Sequence, residues 1–310
     1  MILKSRKKMT IKDQLLALCV VVVWGVNFVV MKIGLHDMPP FLLAGLRFLL
    51  VALPAVLLVP RPALPLRWLA AYGMTISFGQ FAFLFCAIKM GMPVGMASLV
   101  IQSQAFFTLM LGAWWLGERL QWNQWLGILV AALGMVVLAE GNAANASLPG
   151  MTLTTLLLTL AAAASWACGN ICNKQIMRHH PVNAMSLVVW SALIPVGPFL
   201  LCSWLFEGAD TIVASLTSIR LPTVLALMYL SFISTLIGYA IWGNLLARYE
   251  TWRVAPLSLL VPVVGILSAA LLLGEHLSTG QLLGALLVML GLLVNVFGAR
   301  LWPLRSARQP

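Results

Sequence analysis

Residues 255–295 read APLSLLVPVVGILSAALLLGEHLSTGQLLGALLVMLGLLVN, and residues 98–138 follow nearly the same pattern. A shift of 157 positions aligns LGEHL at 273–277 with LGERL at 116–120, and it also aligns a glutamine and two glycines further along. Each copy consists of two long apolar segments joined by a Gly-Glu turn. This stretch therefore predicts a chain that contains one unit twice.

The starts of the two halves also resemble each other. Trp24 and Lys32 are eight positions apart, and so are Trp166 and Lys174, 142 positions later. Both motifs recur in the same order in each half, so the duplication is expected to include nearly the whole chain.

The composition indicates a membrane protein. Hydrophobic residues make up 62% of the chain, charged residues make up 9%, and the mean hydropathy is +0.99. An ordinary water-soluble surface cannot be built from such a sequence. Apolar runs of about 20 residues are long enough to cross a hydrocarbon core of about 30 Å as helices. The alternating pattern of barrel strands is missing, so we predict an all-α integral membrane fold.

Turn signals divide the apolar sequence into ten predicted transmembrane helices. They are expected at roughly 14–34, 40–59, 68–89, 93–115, 122–139, 151–173, 182–205, 222–245, 253–273 and 280–298. The expected organisation is a basic cytoplasmic N-terminus at 1–13, a first five-helix repeat at 14–139, a periplasmic linker at 140–150, a second five-helix repeat at 151–298 and a basic cytoplasmic tail at 299–310.

The distribution of basic residues predicts the orientation. Fifteen Lys and Arg residues fall on one side of the membrane and four on the other, so both termini are expected in the cytoplasm. Because each half has an odd number of spans, the second half must enter the membrane upside down. Such inverted repeats place a binding site between the halves and make alternating access possible.

Other function classes are disfavoured. The net charge of +11 arises from basic residues in short loops and not from one basic face, so no nucleic-acid partner is expected. All five cysteines lie in apolar segments without a metal-ligand pattern, so neither a disulfide nor a metal or cofactor is expected. An enzyme would need a nucleophile–base pair, a metal cluster or a phosphate loop, and none is found. A channel is disfavoured because the repeats enclose a path within one chain, which favours a monomeric carrier in the lipid bilayer.

The ten-span plan, the Trp-x7-Lys motif and the Leu-Gly-Glu-x-Leu motif resemble the EamA-type drug/metabolite transporter superfamily. Within it, several runs resemble the enterobacterial branch that exports cysteine and O-acetylserine. These runs are VVVWGVNFVVMKIGL (21–35), LAGLRF (43–48), TISFGQFAFLFCAI (75–88), SWACGNICNKQIM (165–177) and ARYETWRVAPLSLLVPVVG (247–265).

The resemblance implies an inner-membrane exporter of cysteine-pathway amino acids, whereas spacing and composition predict only a small-molecule transporter. The alternative is a broader exporter of the same family that carries drugs or amino acids, including aromatic ones, threonine and homoserine. A cavity walled by aromatic and amide side chains tolerates many ligands.

Polar and aromatic side chains near the middle of the spans are the candidates for substrate binding, because polar groups are costly against lipid. Amides, Tyr and Trp can bind both the carboxylate and the ammonium group of an amino acid without a fixed charge. The alternative is that they join helices or lie at the membrane interface. The candidates are Trp24, Asn27, Gln80, Gln102, Trp166, Asn170 and Tyr239.

Three charged residues, Arg47, Glu118 and Glu275, are candidates for a gate or an ion pair. Arg47 lies about 10 Å inside the second span, where an unpaired charge would be costly. It is expected to bind the substrate carboxylate, to latch the outer gate, or to pair with Glu275. Glu118 and Glu275 occupy repeat-related turns, which fits gate latches or hairpin caps. Lys32 and Lys174 lie near span ends, from which they can reach the interface.

The positions of the acidic residues bear on energy coupling. All eight lie in predicted loops or at span edges, and no histidine lies in the middle of a span. The carboxylate relay of a proton pump is therefore missing. We expect facilitated export down the substrate gradient, or coupling by a route that these residues do not reveal.

Overall fold

The computed structural model describes residues 9–143, 151–249 and 251–301, and it contains no strand among them. It confirms the all-α fold. The three predicted polar segments fall largely outside the described residues, which do not include 1–8, 144–150 and 302–310.

Ten long helices follow one another along the chain. They are α1 (Ile11–Asp37), α2 (Pro40–Val56), α3 (Leu66–Lys89), α4 (Val94–Leu116), α5 (Trp122–Glu140), α6 (Leu153–His179), α7 (Ala184–Glu207), α8 (Leu221–Leu246), α9 (Pro256–Leu273) and α10 (Thr279–Gly298). A short helix, Ala209–Thr217, lies between α7 and α8. Within the described residues, nine of these helices are long and apolar enough to cross a membrane, whereas α2 is apolar but has only 17 residues. The predicted bounds are close, except that α1 runs over 11–37 and α6 continues to residue 179.

Two kinds of irregular helical segment occur in both halves, whereas a further π-helical segment, Ser203–Glu207 in α7, has no counterpart in α2. A π-helical segment occupies Gly73–Gly79 in α3, and another occupies Tyr229–Ile237 in α8. A 3₁₀ segment lies at Ile101–Ser103 in α4, and another lies at Ala255–Leu259, where α9 begins. Such segments leave backbone groups outside the regular α-helical ladder and are frequent at functional sites. The repetition seen in the sequence therefore extends in part to backbone geometry.

The two Gly-Glu turns have the same conformation. Gly117, directly after α4, has φ 65° and ψ 25°, and Gly274, directly after α9, has φ 64° and ψ 25°. This left-handed region favours glycine, because a side chain would crowd the backbone. The amide N–H groups of Glu118 and Glu275 each donate to a carbonyl oxygen six residues earlier, at 3.2 Å. Both glutamates therefore leave their helices in equivalent orientations.

α5 and α10 pack closely against each other through glycines. A Cβ atom at Gly127 would lie 2.7 Å from the carbonyl oxygen of Gly291, and one at Gly134 would lie 2.9 Å from that of Gly284. Small residues let helix backbones approach and gain van der Waals contact where lipid gives no hydrophobic driving force. The outward faces of both helices carry exposed leucines, which suits a surface against lipid.

α7 of the second half packs against α2 and α3 of the first through aromatic rings. Phe199 lies 5.9 Å from Phe48 and 4.7 Å from Phe78, measured between ring centroids. The carboxylate of Glu207 accepts hydrogen bonds from the amide N–H groups of Phe41 at 2.6 Å and Leu42 at 3.1 Å. The N-terminus of α2, which has no side-chain cap of its own, is therefore held by α7.

Candidate functional site

An aromatic cluster joins α1 to α8. The Trp24 ring centroid lies 5.4 Å from that of Tyr239 and 5.2 Å from that of Trp242. The indole N–H of Trp24 donates to the carbonyl oxygen of Ser234 at 3.1 Å, within the π-helical segment of α8. Two predicted site residues, Trp24 and Tyr239, are therefore in contact, and each comes from a different half of the chain.

The amide residues fall into two kinds. The Asn170 side chain donates to Gln104 Oε1 at 2.7 Å and to Thr108 Oγ1 at 3.1 Å, so it ties α6 to α4. Gln80 and Gln102 are buried, yet their side-chain amides form no hydrogen bond with another described residue. The Asn170 amide therefore contributes to helix packing, whereas the amides of Gln80 and Gln102 retain unused hydrogen-bonding capacity.

Two further predicted residues lie in the same bundle. Asn27 is buried in α1, and its Oδ1 atom has no hydrogen-bond partner among the described residues. Trp166 of α6 is partly buried and packs against the main hydrophobic core. Neither contacts the Trp24 ring cluster through a described ring pair or hydrogen bond.

Glu275 binds both a lysine and a helix N-terminus. Lys32 of α1 donates to its Oε1 at 2.9 Å. The same carboxylate accepts hydrogen bonds from the backbone N–H groups of Val94 at 3.2 Å and Gly95 at 3.1 Å, in the first turn of α4. A carboxylate is favoured there because the first N–H groups of a helix have no partner within it.

The repeat-related pair joins Lys174 of α6 to Glu118, which follows α4. Its glutamate side chain is 40% exposed, against 13% for Glu275 in the first pair. In each pair the lysine comes from one half and the glutamate from the other. The two lysines are thus ion-paired in this structure, in addition to lying near helix ends.

Two further ion pairs lie at the two ends of α1. Arg220, just before α8, binds Asp37 at the end of α1, and this contact raises the pKa of Arg220. Arg248 binds Asp13 at 2.9 Å, near the start of α1, and Asp13 also accepts a hydrogen bond from the Tyr249 hydroxyl at 2.6 Å. Sequence reasoning did not single out either pair, because their partners are more than 180 positions apart.

Arg47 is buried in the middle of α2, with 3% of its surface exposed. Its Nη2 atom donates to Thr235 Oγ1 at 3.1 Å, and the guanidinium carbon lies 4.2 Å from the centre of the Phe81 ring. The predicted alternative, a pair with Glu275, is not formed, because Glu275 contacts Lys32 and α4. A central arginine costs roughly 3 kcal/mol on insertion scales, so its position requires compensation.

A small cavity lies beside Arg47. About 30 Å³ of it can be reached by a water molecule, and its polar lining consists of Arg47, Tyr72, Ser77, Ser191, Thr235 and Tyr239. One water needs about 10–15 Å³ on this measure, so there is room for about two waters but not for an amino acid. In this conformation the cavity is therefore too small for a whole amino acid.

A larger cavity of about 360 Å³ lies between the starts of α1 and α9. It is lined mainly by apolar side chains, including the exposed Leu18 and Leu260, and by none of the predicted binding residues. We regard it as a surface groove between helices, because the polar groups with unused hydrogen-bonding capacity lie elsewhere. The described residues hold no cluster of His, Cys, Asp and Glu suited to a metal ion.

Comparison with known proteins places these features in a family. The chain matches the EamA-like transporter family in two segments, residues 12–139 and 153–297. A Salmonella typhimurium protein named "Probable amino-acid metabolite efflux pump" is 64% identical over 94% of this chain and 97% of its own length. An Escherichia coli K12 protein of the same name is 61% identical over the same shares.

More distant proteins also resemble this chain. The "Uncharacterized inner membrane transporter YedA" of Escherichia coli K12 is 25% identical, over 93% of this chain and 92% of its own. A solved structure described as "Crystal structure of protein" is 22% identical, covers 96% of this chain and 99% of that one, and has a TM-score of 0.56, which shows a shared fold. The protein is a multi-pass protein of the bacterial inner membrane. By both halves of its sequence, it belongs to the EamA-like transporter family.

Proposed function

We propose that this protein exports cysteine, O-acetylserine and related small amino-acid metabolites across the inner membrane by alternating access. The names of the relatives with 64% and 61% identity support an amino-acid metabolite as the substrate class. The narrower choice of cysteine and O-acetylserine rests on the quoted sequence runs. The observation that carries the transport mechanism is the pair of repeat-related ion pairs that join opposite halves.

In this proposal all ten helices cross the membrane, with the halves inverted and both termini in the cytoplasm. The 17 residues of α2 span about 25 Å, somewhat less than a hydrocarbon core of about 30 Å. Modest local thinning of the bilayer accommodates such a helix. Residues 14–139 and 151–298 then form the two repeats, joined by a periplasmic linker. A monomer encloses the complete path.

The substrate site lies between the halves, where Trp24 and Tyr239 meet. Their ring faces suit the ammonium group of an amino acid, which cation–π contact stabilises by about 1 kcal/mol or more. The side-chain amides of Gln80 and Gln102 supply donors and acceptors, because no described residue already occupies them. Asn27 has an oxygen available for the same reason.

Two other residues have supporting roles in this proposal. Both hydrogen bonds that the Asn170 amide nitrogen donates go to side chains of α4, so Asn170 positions that helix against α6. Trp166 provides an aromatic wall in the second half, at the place that Trp24 holds in the first. Both residues therefore shape the site, and the direct polar contacts with the substrate come from Gln80, Gln102 and Asn27.

The two ion pairs act as gates on opposite sides of this site. Lys32–Glu275 closes the periplasmic side and Lys174–Glu118 closes the cytoplasmic side. Both pairs are formed in this structure, and the cavity beside Arg47 admits only about two waters, so we assign this conformation to an occluded state in the proposed cycle. Separation of one pair while the other remains intact opens the path to one side at a time.

A broader amino-acid or drug exporter is the second candidate, and the three-ring cluster of Trp24, Tyr239 and Trp242 favours it. Efflux from cells separates the two. Cells with and without the overproduced protein are loaded with cysteine, O-acetylserine, phenylalanine or threonine, and export of each is measured. Selective export of the first two supports the narrow function, whereas equal export of all four supports the broad one.

A further inference from the structure

We infer that the buried guanidinium group of Arg47 is the carboxylate-binding group of the transport site, so that the protein selects small molecules that carry a carboxylate. This inference rests on the proposed export function and deepens it by naming the feature of the substrate that is recognised.

The guanidinium group has unused donors. Arg47 Nη2 donates to Thr235, but the Nε and Nη1 atoms are fully buried and have no partner among the described residues. The rings of Phe81 and Phe48 lie 4.2 Å and 5.5 Å from the guanidinium carbon and provide no hydrogen-bond acceptor. An arginine fork with free N–H groups matches the two oxygens of a carboxylate.

The positive charge also lacks a counterion among the described residues. Five described acidic residues are engaged elsewhere: Asp13 by Arg248, Asp37 by Arg220, Glu118 by Lys174, Glu207 by the start of α2, and Glu275 by Lys32. Glu140 and Asp210 are exposed. Glu250 lies outside the described residues. A buried cation without a counterion is costly, and an anion supplied by the substrate would neutralise it.

The cavity beside Arg47 suits a carboxylate group. None of its described lining residues is acidic, and the hydroxyl-bearing residues Tyr72, Ser77 and Ser191 lie at its wall with Thr235. Its water-reachable volume of about 30 Å³ is enough for the two oxygens of a carboxylate but not for a whole amino acid.

Tyr239 connects this cavity to the aromatic cluster. It lines the cavity beside Arg47, and its ring centroid lies 5.4 Å from that of Trp24. The carboxylate of a zwitterion at Arg47 would therefore place its ammonium group on the side of the aromatic rings. In this arrangement the carboxylate of an amino acid binds Arg47, and its ammonium group lies against the neighbouring rings of Tyr239 and Trp24.

The first test uses purified full-length wild-type protein and ligand-induced shifts in melting temperature. Three groups of probes are compared. The amino acids are cysteine, O-acetylserine and threonine, and the amines that lack the carboxylate include cysteamine and 2-aminoethyl acetate. The carboxylates that lack the amine are acetate and propionate. We expect the amino acids to raise the melting temperature and the amines to bind at least about tenfold more weakly. Equal stabilisation by amines and amino acids overturns the inference and leaves the export function standing. Stabilisation by simple carboxylates alone supports the inference and counts against the amino-acid function.

The second test separates binding from structure. Because the buried charge of Arg47 has no counterion among the described residues, Arg47→Met should keep or raise the melting temperature without ligand, while it abolishes the response to carboxylates. Arg47→Lys should retain part of the response. The matched control, Arg220→Met, removes the exposed ion pair with Asp37 and should leave the ligand response intact. A carboxylate response that persists in Arg47→Met, or that is absent from the wild-type protein for every carboxylate, overturns the inference.

Discussion

The ammonium group of Lys32 lies 2.9 Å from Glu275, although 243 positions separate the two residues in the sequence. Lys174 and Glu118 form the equivalent contact, in which the lysine comes from the second half and the glutamate from the first. Each lysine belongs to the Trp-x7-Lys motif and each glutamate to the Leu-Gly-Glu motif. The two repeated motifs of the chain therefore meet each other, one from each half.

Charge exchange should affect the two pairs differently. In the double variant Lys174→Glu with Glu118→Lys, the pair can form again, so efflux should recover most of the loss caused by either single change. In Lys32→Glu with Glu275→Lys, a lysine at 275 cannot accept the N–H groups of Val94 and Gly95. Loss of such charged hydrogen bonds costs about 1.5–3 kcal/mol each, so efflux should remain at least about tenfold reduced. Efflux is measured relative to the amount of each variant in the membrane. If efflux recovered equally in both double variants, the additional role of Glu275 in binding the N-terminus of α4 would be contradicted.

Substitution of the amides should separate binding from packing. Gln80→Ala and Gln102→Ala should reduce export severalfold with little change in melting temperature, because no hydrogen bond to a described residue is lost. Asn170→Leu removes its bonds to Gln104 and Thr108 and should destabilise the protein by about 1–3 kcal/mol. Melting temperature and efflux are compared for all three variants. A large loss of stability in Gln80→Ala with normal specific export would make that residue a packing residue.

The sequence predicted the helices well because their apolar runs and turn residues are local signals. The Gly-Glu turns were found for the same reason, since both adopt a backbone conformation that favours glycine. The ends of α1 and α6 were missed because these helices continue beyond their apolar cores into polar residues such as Lys174. Apolarity gives no signal there.

The partners of the charged residues could not be predicted from local patterns. For Arg47 the sequence left three alternatives open: binding of the substrate carboxylate, latching of the outer gate, or pairing with Glu275, which was assigned to the same side of the membrane. The contacts of Arg47 depend on how α2, α3 and α8 pack, because this packing brings Thr235 and Phe81 to the guanidinium group. Trp24 and Tyr239 likewise meet only because α1 lies against α8. The sequence identified these residue types but not their contacts.

Close packing of α5 against α10 should make a single methyl group costly. A Cβ atom at Gly291 would lie 2.6 Å from the carbonyl oxygen of Gly127, so Gly291→Ala should destabilise the protein by about 1–3 kcal/mol. A methyl group at Gly243 in α8 would meet no atom of the described residues within 4 Å, so Gly243→Ala should be neutral or slightly stabilising, by up to about 1 kcal/mol. Thermal unfolding in detergent measures both. Equal melting temperatures for the two variants would show that this helix pair tolerates separation.

Export should not depend on a proton gradient. The described acidic residues lie at helix ends and are paired or exposed, so no carboxylate relay crosses the middle of the bundle. In proteoliposomes, cysteine flux down its own gradient should change by less than about twofold when a pH gradient is imposed. Strong acceleration by the pH gradient alone, without a substrate gradient, would indicate proton coupling.

Counterflow with the purified protein tests the central claim most directly. Proteoliposomes loaded with unlabelled cysteine under reducing conditions, and empty ones, are given a trace of labelled cysteine outside, with and without O-acetylserine. An alternating-access exporter for these compounds predicts faster, saturable uptake into the loaded vesicles and inhibition by O-acetylserine. Uptake that is the same in loaded, empty and protein-free vesicles would contradict the account.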